Sequence, residues 1–168
     1  LPTHGVLVVT DADMLNKIRE FGGATIVAAP IRVGITKDGE VSYTNPNYWY
    51  RAFLRQHFAQ AEPTARAVQS RLAKALGAGP GFGGDETAAD LPDYRYIVGM
   101  EHFDDEKNLL ATHTDFATAV QTVQDNLSKG LAGVTKAYEI VMPDKKLAVF
   151  GVSMSSPANG DAVILGKI

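Results

Sequence analysis

Apolar positions recur at two periods along this chain, and the switches between them mark out its elements. The run Gly5–Val9 is short, apolar and rich in valine, which predicts a strand. Thr10 or Asp11 then offers an N-cap oxygen, and Met14, Leu15, Ile18 and Phe21 share one helical face before Gly22-Gly23 ends the helix. The stretch "ATIVAAPIRVGIT" is strand-like: Ile31, Val33 and Ile35 alternate with Arg32, Gly34 and Thr36, and Pro30 marks an edge or a bulge. Asp38-Gly39 is a hairpin turn signal, with Val41–Thr44 returning as the partner strand. Asn45-Pro46 ends that strand and leads into "NYWYRAFLRQHF". A further helix after Pro63 carries Ala65, Val68, Leu72 and Leu76 on its apolar face.

In the later part, "YRYIVGMEHF" (Tyr94–Phe103) reads as a strand by its aromatic and β-branched content. Phe116, Ala119, Val120, Val123 and Leu127 then make an amphipathic helix face. "VTKAYEIVM" and "LAVFGVSM" flank the turn Pro143-Asp144-Lys145, and "AVILGKI" reads as a last strand. Helices are expected near 11–21, 47–58, 64–76 and 115–129, with about seven strands. Both parts run strand, helix, glycine, strand, turn, strand. The pattern predicts one α+β domain over 1–168, a mostly antiparallel sheet with helices packed against it. Two βαββ halves, 5–44 and 94–154, would be joined by helices across 47–76 in a ferredoxin-like arrangement, single or duplicated.

The totals narrow the classes. With 168 residues and 45% hydrophobic content the chain can bury a core. A net charge of −3 argues against a general nucleic-acid binder, and no apolar run approaches the ~18 residues of a membrane span. The absence of cysteine excludes disulfides, thiolate metal sites and thiol nucleophiles. The chain starts at Leu1 rather than Met, from which a removed secretory signal and an exported, periplasmic location are expected.

Candidate chemistry concentrates in "VSYTNPNYWYRAF" (Val41–Phe53), which holds five of the aromatics, including the only tryptophan. Tyr43, Tyr48 and Trp49 pair rings with polar handles. Arg51 and Arg55, one helical turn apart, add a cationic stripe able to hold a carboxylate or a haem propionate. The stretch is either a ligand or partner surface or the cement of a helix on a sheet. Helical spacing puts Tyr50, Phe53 and Leu54 inside and Tyr48 outside. Met100 and His102, on one face of the expected strand, and His113 beyond it form a candidate haem or metal set, against a reading of Met100 as core. The run Asp104, Asp105, Glu106 reads as a solvated turn, and the glycine-rich stretch Gly77–Glu86 as a flexible loop that lacks a Walker lysine.

Together, "YTNPNYWYRAF" and "DLPDYRYIVGMEHFDD" resemble an uncharacterised group of exported bacterial proteins, whose architecture in turn resembles that of a domain-of-unknown-function family of small α+β proteins. The resemblance covers about a fifth of the chain and implies an α+β fold and an exported location, with no catalytic residue to carry over. The leading expectation is a non-enzymatic accessory or ligand-binding protein, docking as a subunit on a larger, redox complex through a protein partner or as a homo-oligomer. A small-molecule ligand stays open. The alternatives are a haem- or metal-binding redox protein, and a small ferredoxin-like-barrel enzyme using Glu101, His102 and Arg51.

Overall fold

Local signals start and stop most elements where their chemistry requires. A computed structural model describes residues 4–84, 86–95, 97, 99–105 and 109–155. Strand β1 (His4–Val9) leads to α1 (Ala12–Phe21). The Asp11 carboxylate caps α1 by accepting from the amides of Asp13 and Met14. Gly22, at φ 72°, closes it, with its N–H on the Ile18 carbonyl. Gly23–Ala28, expected from Ala24 onward to be strand, instead winds into 3₁₀ turns that bury Ile26 and Ala28. The strand starts only after Pro30, as β2 (Ile31–Thr36).

The Asp38-Gly39 turn returns the chain into β3 (Val41–Tyr43), with Gly39 at φ 86°. The Thr36 amide donates to Glu40 and the Gly39 amide to Thr36. Asn45 caps α2 (Pro46–Leu54), whose first residue, Pro46, has no amide to leave unpaired. One 3₁₀ turn, Arg55–His57, separates α2 from α3 (Phe58–Leu76). The sequence suggested a break at Pro63, but α3 runs through it. Proline there deprives only the Ala59 carbonyl of its intrahelical partner, and Ala59 is exposed to water.

The chain divides after residue 108 into two compact units. In the first, β1, β2 and β3 form an antiparallel sheet in that order. Its core gathers Met14 and Ile18 from α1, Ile31 and Val33 from β2, Tyr50 and Leu54 from α2, and Phe58 from α3. In the second, α4 (Phe116–Ser128) packs beside an antiparallel hairpin of β4 (Val134–Met142) and β5 (Leu147–Met154). A bulge at Ala137 interrupts β4, and the neighbouring Tyr138 ring lies flat over Gly151, where a side chain would collide with it. Met142 is the one fully buried hydrophobic side chain described in this unit, and the apolar face of α4 is only half-buried.

The chain is thus α+β, with helices and two antiparallel sheets. One expectation needs correction, and a second, the ferredoxin-like duplication, is not confirmed. Tyr94–Phe103 forms no strand among its described residues: Gly99 turns the chain at φ 89°, the Met100 amide donates to Ile97, and the Arg95 side chain takes the Met100 carbonyl. The first element expected of the later half is therefore not seen among the described residues. All strand pairs among the described residues are antiparallel, so a split βαβ unit of the ferredoxin-like kind, built on parallel strands, is not seen among them. The expected strand "AVILGKI" lies outside the described residues. Among the described residues no helix is long and apolar enough to cross a membrane.

Candidate functional site

Helix α2 divides its aromatics by spacing. Tyr50 and Leu54, one turn apart, are fully buried. Trp49 and Phe53, the adjacent stripe, are half-buried, with ring centroids 4.3 Å apart and a 45° tilt. The Trp49 indole N–H donates to the Ala28 carbonyl at 2.9 Å, so the 3₁₀ turns before β2 hold the ring in place. The Arg32 guanidinium lies 5.4 Å from the ring centroid.

Arg55 builds the facing wall. It sits just past α2 at φ 50°, a left-handed conformation uncommon for a side-chain-bearing residue. Its Nε donates to the Pro92 carbonyl at 2.7 Å, and its Nη1 contacts both oxygens of Asp104 at 2.9 and 3.0 Å. Asp93 stands 3.8 Å away. These contacts draw the described residues around Pro92 and Asp104 against α2. Phe103 comes to rest 5.0 Å from Phe53 at 59°, extending the aromatic row. Between the walls lies a groove of about 280 Å³, lined by Tyr48, Trp49, Phe53, Tyr94, His102 and Phe103 among others, and predominantly apolar. No carboxylate is among its described lining residues. A wider, shallow depression of about 470 Å³ holds Glu86, Asp90 and Asp93 and shares Tyr94 with the groove.

The candidate residues separate accordingly. Tyr48, Trp49, Arg55 and His102 line the groove. Arg51 does not: its guanidinium lies 4.1 Å from the Phe58 ring centroid and 4.0 Å from Glu62, against α3. The cationic stripe is therefore committed within the protein at both positions. Glu101, His102 and Arg51 do not share this groove, since His102 alone of the three lines it. Tyr43 donates to the Gly77 carbonyl at 3.0 Å, and the Tyr48 ring packs on Gly84, where a Cβ would approach to 3.0 Å. Both ends of the glycine-rich loop thus rest on tyrosines of the aromatic stretch. Met100 is 46% exposed rather than core, and without a strand it loses the shared face that paired it with His102. His113, exposed, belongs to the second unit. No group of three or more metal-ligating side chains forms among the described residues.

Sequence reasoning missed Phe103, Tyr94 and Leu91 as groove residues and took Phe53 for core. Of the acidic run read as a solvated turn, Asp104 is exposed and also receives Arg55, the Asp105 carboxylate accepts the His102 amide at 3.1 Å, and Glu106 lies outside the described residues. The signal available was the pairing of an arginine-bearing aromatic helix with an acidic segment that directly follows Phe103. One further group stands out behind the groove. The Tyr50 hydroxyl is buried with no hydrogen-bond partner among the described residues, and burial pushes its pKa well above the ordinary phenol value. The nearby Asp11 carboxylate raises it further and Arg71 opposes. No family model, curated protein or solved structure matches the chain.

Proposed function

We propose that this chain is a non-enzymatic accessory protein that docks on a larger assembly by taking an apolar, preferably aromatic, side chain of a protein partner into the groove between α2 and residues 91–104. The observation that carries this reading is the groove's composition at its size. It offers rings on both walls, and Arg55, the cation in its wall, is already engaged by Asp104 and the Pro92 carbonyl. Its volume of about 280 Å³ falls just under the ~300–1,000 Å³ of drug-sized ligand pockets and suits one bulky anchor. Rigid aromatic walls are where interface hot spots concentrate. An exported location and a redox assembly as the host belong to the same proposal. The location rests on the resemblance of the two aromatic-rich segments to exported proteins.

Trp49 makes the reading testable, because it is the chain's sole tryptophan and sits in the groove wall. Titration with N-acetyl-phenylalaninamide, itself dark at tryptophan excitation, is expected to shift Trp49 emission saturably. Tyr94→Ala should abolish the shift without lowering the melting temperature, since Tyr94 is already well exposed. Emission that does not respond in a natively folded protein would overturn the groove as a docking site. Turnover by the purified protein alone would overturn the non-enzymatic reading.

A further inference from the structure

The strand β1 has the sequence of a central strand and the position of an edge. Gly5–Val9 is apolar at each position after the glycine, the pattern of a strand covered on both faces. Yet among the described residues the order β1-β2-β3 places it at the rim of its sheet. Register assigns the faces: Leu7 lies opposite Val33 and Val9 opposite Ile31, on the face toward the core, while Val6 and Val8 lie on the other. Val33 is fully buried, but its neighbour Leu7 is 55% exposed and Val6, on the opposite face, 60%. Leu7, Ile35 and Val41 continue the exposed patch along the core-side face, since Ile35 pairs with Val41 and sits beside the Leu7–Val33 pair. Native sheets guard such rims with lysine, proline, a bulge or an inward charge, and Gly5–Val9 has none of these.

We propose that β1 is a self-pairing edge: two copies of this chain join β1 to β1, antiparallel, about a two-fold axis normal to the sheet at Leu7. The occupant is a second copy because the strand is complementary to itself. Pairing about Leu7 sets Leu7 against Leu7, Val6 against Val8 and Gly5 against Val9 of the second copy, with no charge facing a like charge. A charge near the middle of the strand would meet its own image and forbid this. The axis also keeps the core-side faces on one side, so the two exposed patches at Leu7 become contiguous. The result is one sheet with three strands from each copy.

Analytical ultracentrifugation of the full chain from nanomolar to submillimolar concentration tests this. The wild type is expected to dimerise with little dependence on salt, as an uncharged contact should. Leu7→Lys and Leu7→Glu should each weaken the dimer at least about tenfold by opposing like charges across the axis, and their equimolar mixture should recover it as a heterodimer. Unchanged far-ultraviolet dichroism confirms that each variant folds. Amide exchange of Gly5–Val9 in the wild type, slowing as concentration rises, supports the proposal without any substitution. A wild type that stays monomeric throughout would overturn it and leave the edge to a different protein. A dimer that Leu7→Lys leaves intact would also overturn it. So would β1 amides protected equally in the monomer, which would assign the edge to another part of the chain.

Discussion

Replacing Tyr50 by phenylalanine should stabilise the protein. The side chain is completely buried on the inner face of α2, and its hydroxyl meets neither a donor nor an acceptor among the described residues. A buried polar group left unsatisfied costs ~1–3 kcal/mol. The substitution keeps the ring and its packing and removes one oxygen, leaving a void smaller than a methyl group, whose cost takes back a fraction of the gain. A net stabilisation of about 1 kcal/mol is expected, or roughly 4 °C in melting temperature for a unit of this size. Tyr50→Ala, which also empties the ring volume, should instead lose ~3–5 kcal/mol. Trp49 is the neighbouring residue and the sole tryptophan, so urea unfolding followed by its emission reports on the surrounding packing directly. A Tyr50→Phe variant less stable by about 1 kcal/mol or more would refute the reasoning, because it would reverse the sign expected for an unsatisfied hydroxyl. It would mean that the hydroxyl is bonded after all, the Asp11 carboxylate that bears on its titration being the partner to examine first.

Arg55→Lys keeps the charge but loses the Nε donor to Pro92 and the geometry that reaches both Asp104 oxygens, so it should cost about 1–2 kcal/mol and speed amide exchange across 91–104; unchanged exchange would show that Arg55 does not hold the groove wall. Gly151→Ala drives a methyl group into the Tyr138 ring and should destabilise the β4–β5 hairpin by ~1–3 kcal/mol, measured by exchange of the hairpin amides, whereas Gly151→Ala with Tyr138→Ala should recover part of that loss. The Asp115 carboxylate caps α4, and the Thr118 amide, then its hydroxyl, hold its pKa below the ordinary aspartate value. Because the folded pKa is the lower one, this contribution is present above the ordinary aspartate range and is lost as pH falls through the depressed value. Protection of the amides across 116–128, taken relative to their intrinsic exchange rate at each pH, should therefore fall on acidification in the wild type and show a weaker pH dependence in Asp115→Asn, which caps without ionising; identical profiles would remove Asp115 as the cause.

Elements whose causes lie within a few residues were legible in the sequence. Asp11, Asn45 and Gly22 begin or end helices because their side chains or backbone freedom serve amides and carbonyls three or four positions away. The Asp38-Gly39 turn, the hairpin across Pro143–Lys145 and the strand bounds of β4 and β5 follow from equally local chemistry. The α+β class follows from the two periods of the apolar pattern. What needed partners distant in sequence was decided only in three dimensions. Tyr94–Phe103 has strand-forming residues, but a strand exists only where a neighbour supplies its ladder, and among the described residues Arg95 takes the Met100 carbonyl and Gly99 turns the chain instead. Whether Tyr50 or Phe53 enters the core depended on what faces α2, and Phe103 leaves Phe53 at a groove rather than inside. The groove itself rests on Arg55 reaching Asp104, 49 positions along the chain. No periodicity encodes that contact, because a salt bridge leaves no pattern in the residues around either partner; it arises when the turn Leu91–Asp93 packs on α2 and brings the two segments within reach.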